Sequence, residues 1–567
     1  MNEDFRKSAP EPLEAIQFNL PKPFETELSN GLKIVVIEDD RHPLVSFRLA
    51  FRAGDIEDVE GEIGVTSAMT ATLTEGTQRL NSKEIAEEIE RVGASLSAHA
   101  GMDNSVVSAS TLSRYKSEVI GLLAELVLTP SFPQDELDLY KQNSIEGIKF
   151  QRSQPDFLAD EQVARIIYGA HPYGIHSPTA EDFGKLNREQ LVKAHKRIFI
   201  PNNATLFVVG DVDSSELMKE IESLFGEWDR GEIVESDFPG LPVRTKRSLT
   251  IVDRPGSTQS NIVLANLAIP RKHPDYFPVL VMNQILGAGA SSRLFMNLRE
   301  EKGYTYGAYS RTYSKRFAGT FEATSEVRTA VTGDSLKEFF FELERIRDEK
   351  ASEEELRDAK NFLTGVFPIR AETQSGLTGL IVSQKLYDLA EDYLDTYRDN
   401  VDAVTLEDVQ KAANTYISPG KIAMVIVGDA EEVIPQVGIY TEDIEVFDTE
   451  GNSKDLADYV NDSNEETVNA AGNWKLSLEA MGQQLEVDLA ITQDGETVSG
   501  KLTSMFGEGE FSGGKVNGNR ISVIAKTEFQ GQEVELGIKG NVEGDSIEGT
   551  ISTSLMPMEL EFTGKRQ

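Results

Sequence analysis

"NATLFVVGDV" at residues 203–212 and "KIAMVIVGDA" at residues 421–430 are two versions of one pattern. Each is an apolar, β-branched run that closes on Gly-Asp, which is typical of a buried strand ending in a turn. Similar strand patterns, "GLKIVVIED" at 31–39 and "RSLTIVDRP" at 247–255, stand well upstream of each ending. The spacing indicates an internal duplication, although the two endings alone are also compatible with coincidental strand ends.

The duplication predicts an α+β fold with two homologous α/β halves. We place the first half at residues 15–235 and the second at 245–448, with a short polar linker near "GEIVESDFPGLPVRTK" between them. Both lengths fit the usual size of a domain, and a chain of 567 residues is too long for a single core.

Amphipathic helices are predicted between the strands of each half. In "NSKEIAEEIERVGASL" the apolar residues Ile85, Ile89 and Val92 share one helical face. We expect Ser82 to be the N-cap of this helix and Gly93 to end it.

The chain changes character after the second half. Residues 449–472 are acidic, polar and poor in apolar side chains, which predicts a linker. From residue 473 to 567 short alternating runs are separated by "DG", "NG" and "GD", which predicts successive hairpins. The expected third domain is all-β, either a barrel or a sandwich, because closure protects exposed strand edges.

Composition excludes several function classes. The formal net charge of −39 disfavours nucleic acid and anionic lipid as partners. With no cysteine, the chain has no disulfide, thiolate zinc site or cysteine nucleophile. No apolar run approaches the length of a transmembrane segment, so none is expected.

The order of segments in the first half resembles the pitrilysin and mitochondrial processing peptidase family, the inverzincins. The resemblance rests on "NGLKIVVIEDDRHPLVSFRLAFRAGDIED", "GVTSAMTATLTEGT", "SKEIAEEIERVGASLSAHAGMDNSVVSASTL" and "AHPYGIHSPTAEDFGKLNREQLVKAHKRIFIPNNATLFVVGDV", in that order. It extends through both halves, over about residues 18–445, and implies halves of the pitrilysin type.

The family's zinc motif is absent from this sequence. Active members carry H-x-x-E-H on the helix that begins here at Gly64, and those positions fall on Ser67, Thr70 and Ala71. The third zinc ligand, a glutamate, aligns with Gly147; Glu146 is one residue away, a rotation of about 100° around a helix. Hydroxyl and methyl groups do not replace imidazole and carboxylate, so no metal is expected in this chain.

The histidines offer no substitute site. No two of the 6 histidines are spaced i, i+4, and "HPYGIH" places His171 and His176 five residues apart in a loop. We interpret this loop as a turn typical of the family.

A second motif of the family is present. The stretch "LGAGASSRLFMNLREEKGYTYGAYS" at 286–310 resembles the segment that the zinc-free half contributes to the active site. The resemblance implies that Arg299 and Tyr306 bind the peptide and stabilise the tetrahedral intermediate. From the residues alone, Arg299 could equally pair with a neighbouring acid such as Glu300 or Glu301, and Tyr306 could pack within a strand.

These observations give one leading hypothesis and two alternatives. The leading one is a zinc-free subunit of a heterodimeric pitrilysin-like metallopeptidase, with zinc in a homologous partner subunit and a peptide as substrate. The alternatives are a non-enzymatic structural subunit of a larger complex and a stand-alone binder of peptide or ligand that uses the terminal β domain.

The N-terminus lacks the basic and apolar segments of a secretory signal, which fits a cytoplasmic protein or a mature exported form. Analogues in the family with a partner chain are often exported, so we expect a periplasmic or otherwise exported protein, with the cytoplasm as the alternative.

Overall fold

The computed structural model describes residues 20–59, 61–233, 237–459, 468–480, 483–504, 507–529, 532–553 and 556–567. The predictions for the N-terminal segment 1–19, for residues 234–236 of the linker between the halves and for residues 460–467 of the acidic linker lie outside the described residues. The chain divides into two compact units, with the boundary between Lys454 and Asp455. The predicted bounds of the halves and of the linker stay predictions.

The first half is a six-stranded sheet in the order β1-β2-β6-β3-β5-β4 with helices around it. Its strands are β1 (Phe24–Glu27), β2 (Lys33–Glu38), β3 (Leu44–Phe51), β4 (Ser95–Ala100), β5 (Ser105–Leu112) and β6 (Ala204–Gly210). Its helices are α1 (Val65–Thr72), α2 (Ser82–Val92), α3 (Lys116–Leu128), α4 (Gln134–Gln151), α5 (Pro155–Tyr168), α6 (Ala180–Lys185), α7 (Arg188–Ile198) and α8 (Ser214–Phe225).

The second half repeats this plan in a seven-stranded sheet, β13-β12-β7-β11-β8-β10-β9. Its strands are β7 (Ser248–Asp253), β8 (Gln259–Ala268), β9 (Thr305–Ser314), β10 (Gly319–Arg328), β11 (Ala423–Gly428), β12 (Ile444–Phe447) and β13 (Ser453–Lys454). Its helices are α9 (Tyr276–Leu286), α10 (Arg293–Phe295), α11 (Thr332–Asp348), α12 (Glu353–Glu372), α13 (Gln374–Leu386), α14 (Tyr397–Ala403), α15 (Leu406–Tyr416) and α16 (Ala430–Val437). A π-helical turn, Met296–Glu301, continues α10.

Short 3₁₀ turns connect several of these elements. They are Asp55–Glu57, Leu73–Glu75, Ser113–Tyr115, Pro172–Gly174, Pro201–Asn203, Thr329–Val331, Pro419–Lys421, Gly438–Tyr440 and Leu456–Asp458.

The internal duplication is confirmed by strand pairing. β2 runs parallel to β6, and β7 runs parallel to β11 in the same place of the second sheet. On the side of β6 and β11 each sheet continues antiparallel, to an edge strand that is β4 in the first half and β9 in the second. The strands at the opposite edges are β1 and β13. The prediction of two α/β halves is therefore correct.

Each sheet is covered on one face by helices of the other half. In the first sheet Val35, Ile37, Phe207 and Val209 pack against α12 and α13, while the alternate residues pack against the first half's own helices. The second sheet is covered on one face by α5 of the first half, whose apolar side chains contact β7, β8 and β11. Burial on both faces explains the continuous apolar runs of the central strands.

Helix α2 differs from its prediction at the first turn. Asn81, not Ser82, is the N-cap, because its side chain accepts from the Glu84 amide and the Glu84 carboxylate accepts from the Asn81 amide. The Ser82 hydroxyl instead donates to Glu136 at 2.5 Å. Gly93 ends the helix in the left-handed conformation, as predicted.

The C-terminal unit is a closed barrel, which decides between the two predicted all-β forms. Its strands are β14 (Gly472–Ala480), β15 (Gln483–Asp494), β16 (Thr497–Ser504), β17 (Gly507–Asn517), β18 (Arg520–Phe529), β19 (Gln532–Glu543), β20 (Ser546–Thr553) and β21 (Met556–Arg566), and β21 pairs with β14. Gly495, Gly518 and Gly544 take positive φ at the predicted hairpin turns. Apolar side chains, including Trp474 and Leu489, fill the interior.

Within the described residues, no helix has both the length and the apolar character needed to cross a bilayer.

We expect the two compact units to unfold in separate transitions, because each has its own core. The chain has 2 tryptophans, Trp228 in the first unit and Trp474 in the barrel, so single-tryptophan variants report on each unit alone. Leu489→Ala lowers the free energy of unfolding seen by Trp474 by about 2–5 kcal/mol and leaves the transition of Trp228 in place. Urea unfolding followed by fluorescence measures both.

Leu206→Ala is the matched control, since Leu206 is fully buried in β6 of the first unit. It shifts the Trp228 transition only. A common shift of both transitions by either substitution contradicts the independence of the units.

Candidate functional site

Helix α1, which carries the positions of the absent zinc motif, is fixed at its start by an aspartate from the preceding loop. The Asp58 carboxylate accepts from the Gly64 amide at 2.7 Å, the Thr66 amide at 3.0 Å and the Thr66 hydroxyl at 2.6 Å. Burial raises the pKa of Asp58 to about 7, against the opposing effect of the Thr66 hydrogen bonds. Asp58 therefore caps α1 from outside the helix.

The three positions of the zinc motif make hydrogen bonds within the fold or carry no ligand atom. The Ser67 hydroxyl lies 2.8 Å from both carboxylate oxygens of Asp55. The Thr70 hydroxyl is buried and donates to the Thr66 carbonyl oxygen at 2.8 Å. Ala71 offers only a methyl group. This set does not fit a zinc ion, which needs imidazole or carboxylate ligands here.

The position of the third ligand is also without a donor. Gly147 lies on the exposed face of α4, and a Cβ added there meets nothing within 4 Å. Glu146 is exposed and pairs with Lys149 at 2.7 Å. Among the described residues, no group of three His, Asp or Glu side chains is arranged to hold a metal.

Asp55 and Asp58 are the residues that sequence reasoning missed at this site. Both raise the pKa of Tyr140 on α4, where burial is the main cause, so the two carboxylates lie close to the α1–α4 packing. Burial also raises the pKa of Asp55, which keeps its proton more readily than a solvated aspartate. The signal in the sequence was weak, because Asp58 stands six residues before the glycine that starts the helix.

The histidine loop makes structural contacts. His171 is buried, and its Nδ1 accepts from the Tyr173 amide at 3.1 Å. Burial lowers the pKa of His171, so the neutral ring is favoured. The ring of His176 lies 4.8 Å from that of Phe157. These contacts agree with the interpretation of "HPYGIH" as a turn.

Arg299 and Tyr306 stand on either side of one sharp turn. Arg299 lies in the π-helical turn Met296–Glu301, and Gly303, at φ +63°, directs the chain into β9. The Gly303 amide donates to the Arg299 carbonyl oxygen at 3.1 Å, and the Tyr304 amide donates to the Leu298 carbonyl oxygen at 3.0 Å. A left-handed residue is required here, which favours glycine.

The side chains of both residues face solvent. Tyr306 is 91 % exposed, so it is not the packed strand aromatic that the sequence left open. The Arg299 side chain is 45 % exposed and lies 3.5 Å from Glu300, which matches the alternative of a neighbouring ion pair. Its guanidinium also sits 4.7 Å from the ring centroid of Phe295. An exposed ion pair of this length is weak, so the guanidinium remains accessible to a ligand.

Comparison with known proteins gives two adjoining family matches. Residues 33–179 match "Insulinase (Peptidase family M16)" and residues 185–363 match "Peptidase M16 inactive domain". The "Non-peptidase homolog YmxG" of Helicobacter pylori is 22 % identical over 413 residues, which cover 71 % of this chain and 94 % of that protein. The "Uncharacterized zinc protease YmxG" of Bacillus subtilis is also 22 % identical, over 68 % of this chain and 93 % of its own length.

A solved structure extends the likeness to the fold. The peptidase M16 inactive domain from Pseudomonas fluorescens superimposes with a TM-score of 0.68 at 27 % identity, over 72 % of this chain and 98 % of that chain. A protease from Helicobacter pylori gives a TM-score of 0.66 at 20 % identity. Together the matches confirm the resemblance inferred from the sequence.

The Asp58 cap predicts a stability effect that depends on pH. Because folding raises the pKa of Asp58 from 3.8 to about 7, the folded state binds the proton more tightly. The stability that this carboxyl contributes is therefore fully present below pH 3.8 and is lost as the pH rises through about 7. We expect Asp58→Ala to lower the free energy of unfolding by about 1–2 kcal/mol at pH 5, and by less at pH 8.

Asp213→Ala is the control, because Asp213 caps α8 and its pKa is lowered by the hydrogen bonds from Ser215 and Glu216. That carboxylate is ionised at both pH values, so its removal has the same cost at pH 5 and pH 8. Urea unfolding at the two pH values compares the variants. A cost of Asp58→Ala that is larger at pH 8 contradicts the prediction.

Proposed function

The chain belongs to the peptidase M16 family, and on that premise we propose that it is the zinc-free subunit of a heterodimeric M16 metallopeptidase. In this proposal a homologous partner subunit carries H-x-x-E-H, the third glutamate and the zinc ion. This chain supplies Arg299 and Tyr306 to the partner's site. The exported location expected above is part of the same proposal.

The exposure of Tyr306, which is 91 % on an edge strand, together with the half-exposed Arg299 seven residues earlier in the chain, carries the proposal. A phenol donates one hydrogen bond and a guanidinium offers a fixed positive charge with several donors. Such groups bind carbonyl oxygens and stabilise the oxyanion that forms when water attacks a peptide bond. Neither group can activate the water, which is why a zinc-bearing partner is needed.

The edge strands β4 and β9 support a peptide as the substrate. As far as the described residues go, β4 pairs only with β5, and β9 pairs only with β10. An extended peptide can add to such an edge through backbone hydrogen bonds, which require no particular side chains. The name of the Helicobacter pylori relative, a non-peptidase homolog, agrees with a chain that has no peptidase activity alone.

Mixing this chain with the homologous zinc-bearing chain of the same organism tests the proposal. We expect hydrolysis of an unfolded peptide by the mixture and none by this chain alone. Tyr306→Phe removes one oxyanion donor and lowers kcat by about 100-fold, and Arg299→Ala lowers kcat/KM by a similar factor.

Tyr309→Phe is the matched control, since Tyr309 lies on the same strand and is 38 % exposed. It leaves the kinetics unchanged. Equal activity of the Arg299→Ala and Tyr306→Phe mixtures and the unmodified mixture rules the proposal out.

A further inference from the structure

The segment that carries Arg299 is not a regular helix. After α10 the backbone widens into a π turn, in which the Lys302 amide donates to the Asn297 carbonyl oxygen, five residues back, at 3.0 Å. A π turn is less favourable than an α turn and persists where other contacts hold it, often at functional sites. In this protein, side-chain contacts with two neighbouring helices hold the π turn.

Three side-chain anchors tie the segment to α11 and α12. At its start Arg293 makes two hydrogen bonds to Glu355, at 2.7 and 3.0 Å. In the middle the Asn297 amide nitrogen donates to Glu342 at 2.9 Å and to Glu338 at 3.1 Å. At its end Lys302 pairs with Glu338 at 3.2 Å. The middle anchor is the one inside the π turn.

The Asn297–Glu342 contact lies in the interior. Asn297 is 5 % exposed and Glu342 is 2 % exposed. A buried carboxylate is costly unless it is hydrogen-bonded, and Glu342 has Asn297 on one oxygen and Arg345 at 3.5 Å from the other. Loss of the Asn297 amide would therefore leave Glu342 underbonded, which favours keeping the π turn against α11.

Within the described chain, some buried polar atoms of this segment make no hydrogen bond. This indicates that the segment's conformation is imposed by its contacts with α11 and α12 and not by its own local hydrogen bonding. Among the described residues the Ser292 hydroxyl, the Arg293 Nη1 and the Asn297 Oδ1 are buried with no hydrogen bond. Three such atoms within six residues are unusual, since buried polar groups are normally paired. Their presence is consistent with a conformation imposed by the anchors.

Within the part of the chain that the structure describes, the Arg299 side chain makes no buried hydrogen bond comparable to these anchors. Its contacts are the exposed Glu300 and the face of Phe295, so the backbone of the π turn decides where its guanidinium lies. We infer that Asn297 and Glu342 are positioning residues for Arg299, which hold the π turn so that the guanidinium meets the substrate in the partner's site. This inference rests on the proposed function.

Kinetics of the two-chain mixture test the inference. Asn297→Ala removes the bridge without adding bulk and lowers kcat by about 10-fold or more, since small misplacements of a binding group are costly. KM changes by less than kcat, because Arg299 is needed most in the transition state. Asn414→Ala, an exposed helical asparagine of α15, is the matched control and leaves kcat unchanged.

A double variant separates positioning from a general loss of structure. If Asn297 acts through Arg299, Asn297→Ala has no further effect on kcat in the Arg299→Ala background. If the two effects multiply, or if Asn297→Ala alone leaves kcat unchanged, the inference is wrong. Glu342→Met has a similar volume and no oxygen to accept from Asn297, and it lowers kcat in the same direction, which covers the case in which Asn297→Ala does not fold.

Hydrogen exchange of this chain alone distinguishes failure of the inference from failure of the proposed function. The amides of Lys302, Gly303 and Tyr304 close the turn. We expect them to exchange about 10-fold faster in Asn297→Ala and at the unmodified rate in Asn414→Ala. Unchanged exchange overturns the anchoring itself. Faster exchange together with full activity of Arg299→Ala keeps the anchor and rejects the proposed function.

Discussion

The structure of the first unit depends on the mutual burial of its two halves. The central strands of each sheet are apolar on both faces, so neither sheet excludes water with its own helices alone. The second half covers the first sheet with Phe367 of α12 and with Leu377 and Ile381 of α13. In turn, α5 of the first half covers one face of the second sheet, where its Leu158 and Val163 pack against the strands. Each half therefore requires the other for a closed core.

This exchange of helices also decides which surfaces stay free. The buried strands β2, β6, β7 and β11 lie inside the sheets. Among the described residues the edge strands are β1 and β4 in the first sheet and β13 and β9 in the second. Tyr306 lies on β9. Under the proposed function, the places where an extended peptide can pair are thus limited by sheet topology before any side chain is considered.

The sequence was sufficient where the fold is decided locally. The repeated Gly-Asp endings were informative because Gly210 and Gly428 both stand where a side chain does not fit: an added Cβ would lie 2.1 Å from the Leu44 carbonyl oxygen and 2.8 Å from the Ser260 hydroxyl, respectively. The hairpins of the barrel were predictable for a similar reason, since left-handed turns favour glycine. The absence of zinc ligands needed no structure at all.

Contacts between distant parts of the chain were not predictable from the sequence. Asp58 caps a helix that begins seven residues later, at Val65. The Asn297–Glu342 hydrogen bond joins residues far apart in the sequence, and the packing of helices on the sheet of the other half leaves no local pattern. The N-cap of α2 was misplaced by one residue because Asn81 and Ser82 are both good caps, and the Glu136 contact that occupies Ser82 is remote. The π turn depends on side-chain anchors that periodicity does not register.

The two candidate sites of this chain differ in how their polar groups are used. At the positions of the absent zinc motif, the hydroxyls of Ser67 and Thr70 make hydrogen bonds within the protein, so they serve the fold and not a ligand. In the second half the buried groups Arg293, Asn297 and Glu342 form the base, while Arg299 and Tyr306 at the tips face solvent. Such an arrangement, with buried anchors and exposed side chains, suits a binding site, because side chains that are already ordered lose less conformational entropy when a ligand binds. The absence of zinc ligands at the first set of positions and the exposure of Arg299 and Tyr306 at the second are therefore separate properties of the chain.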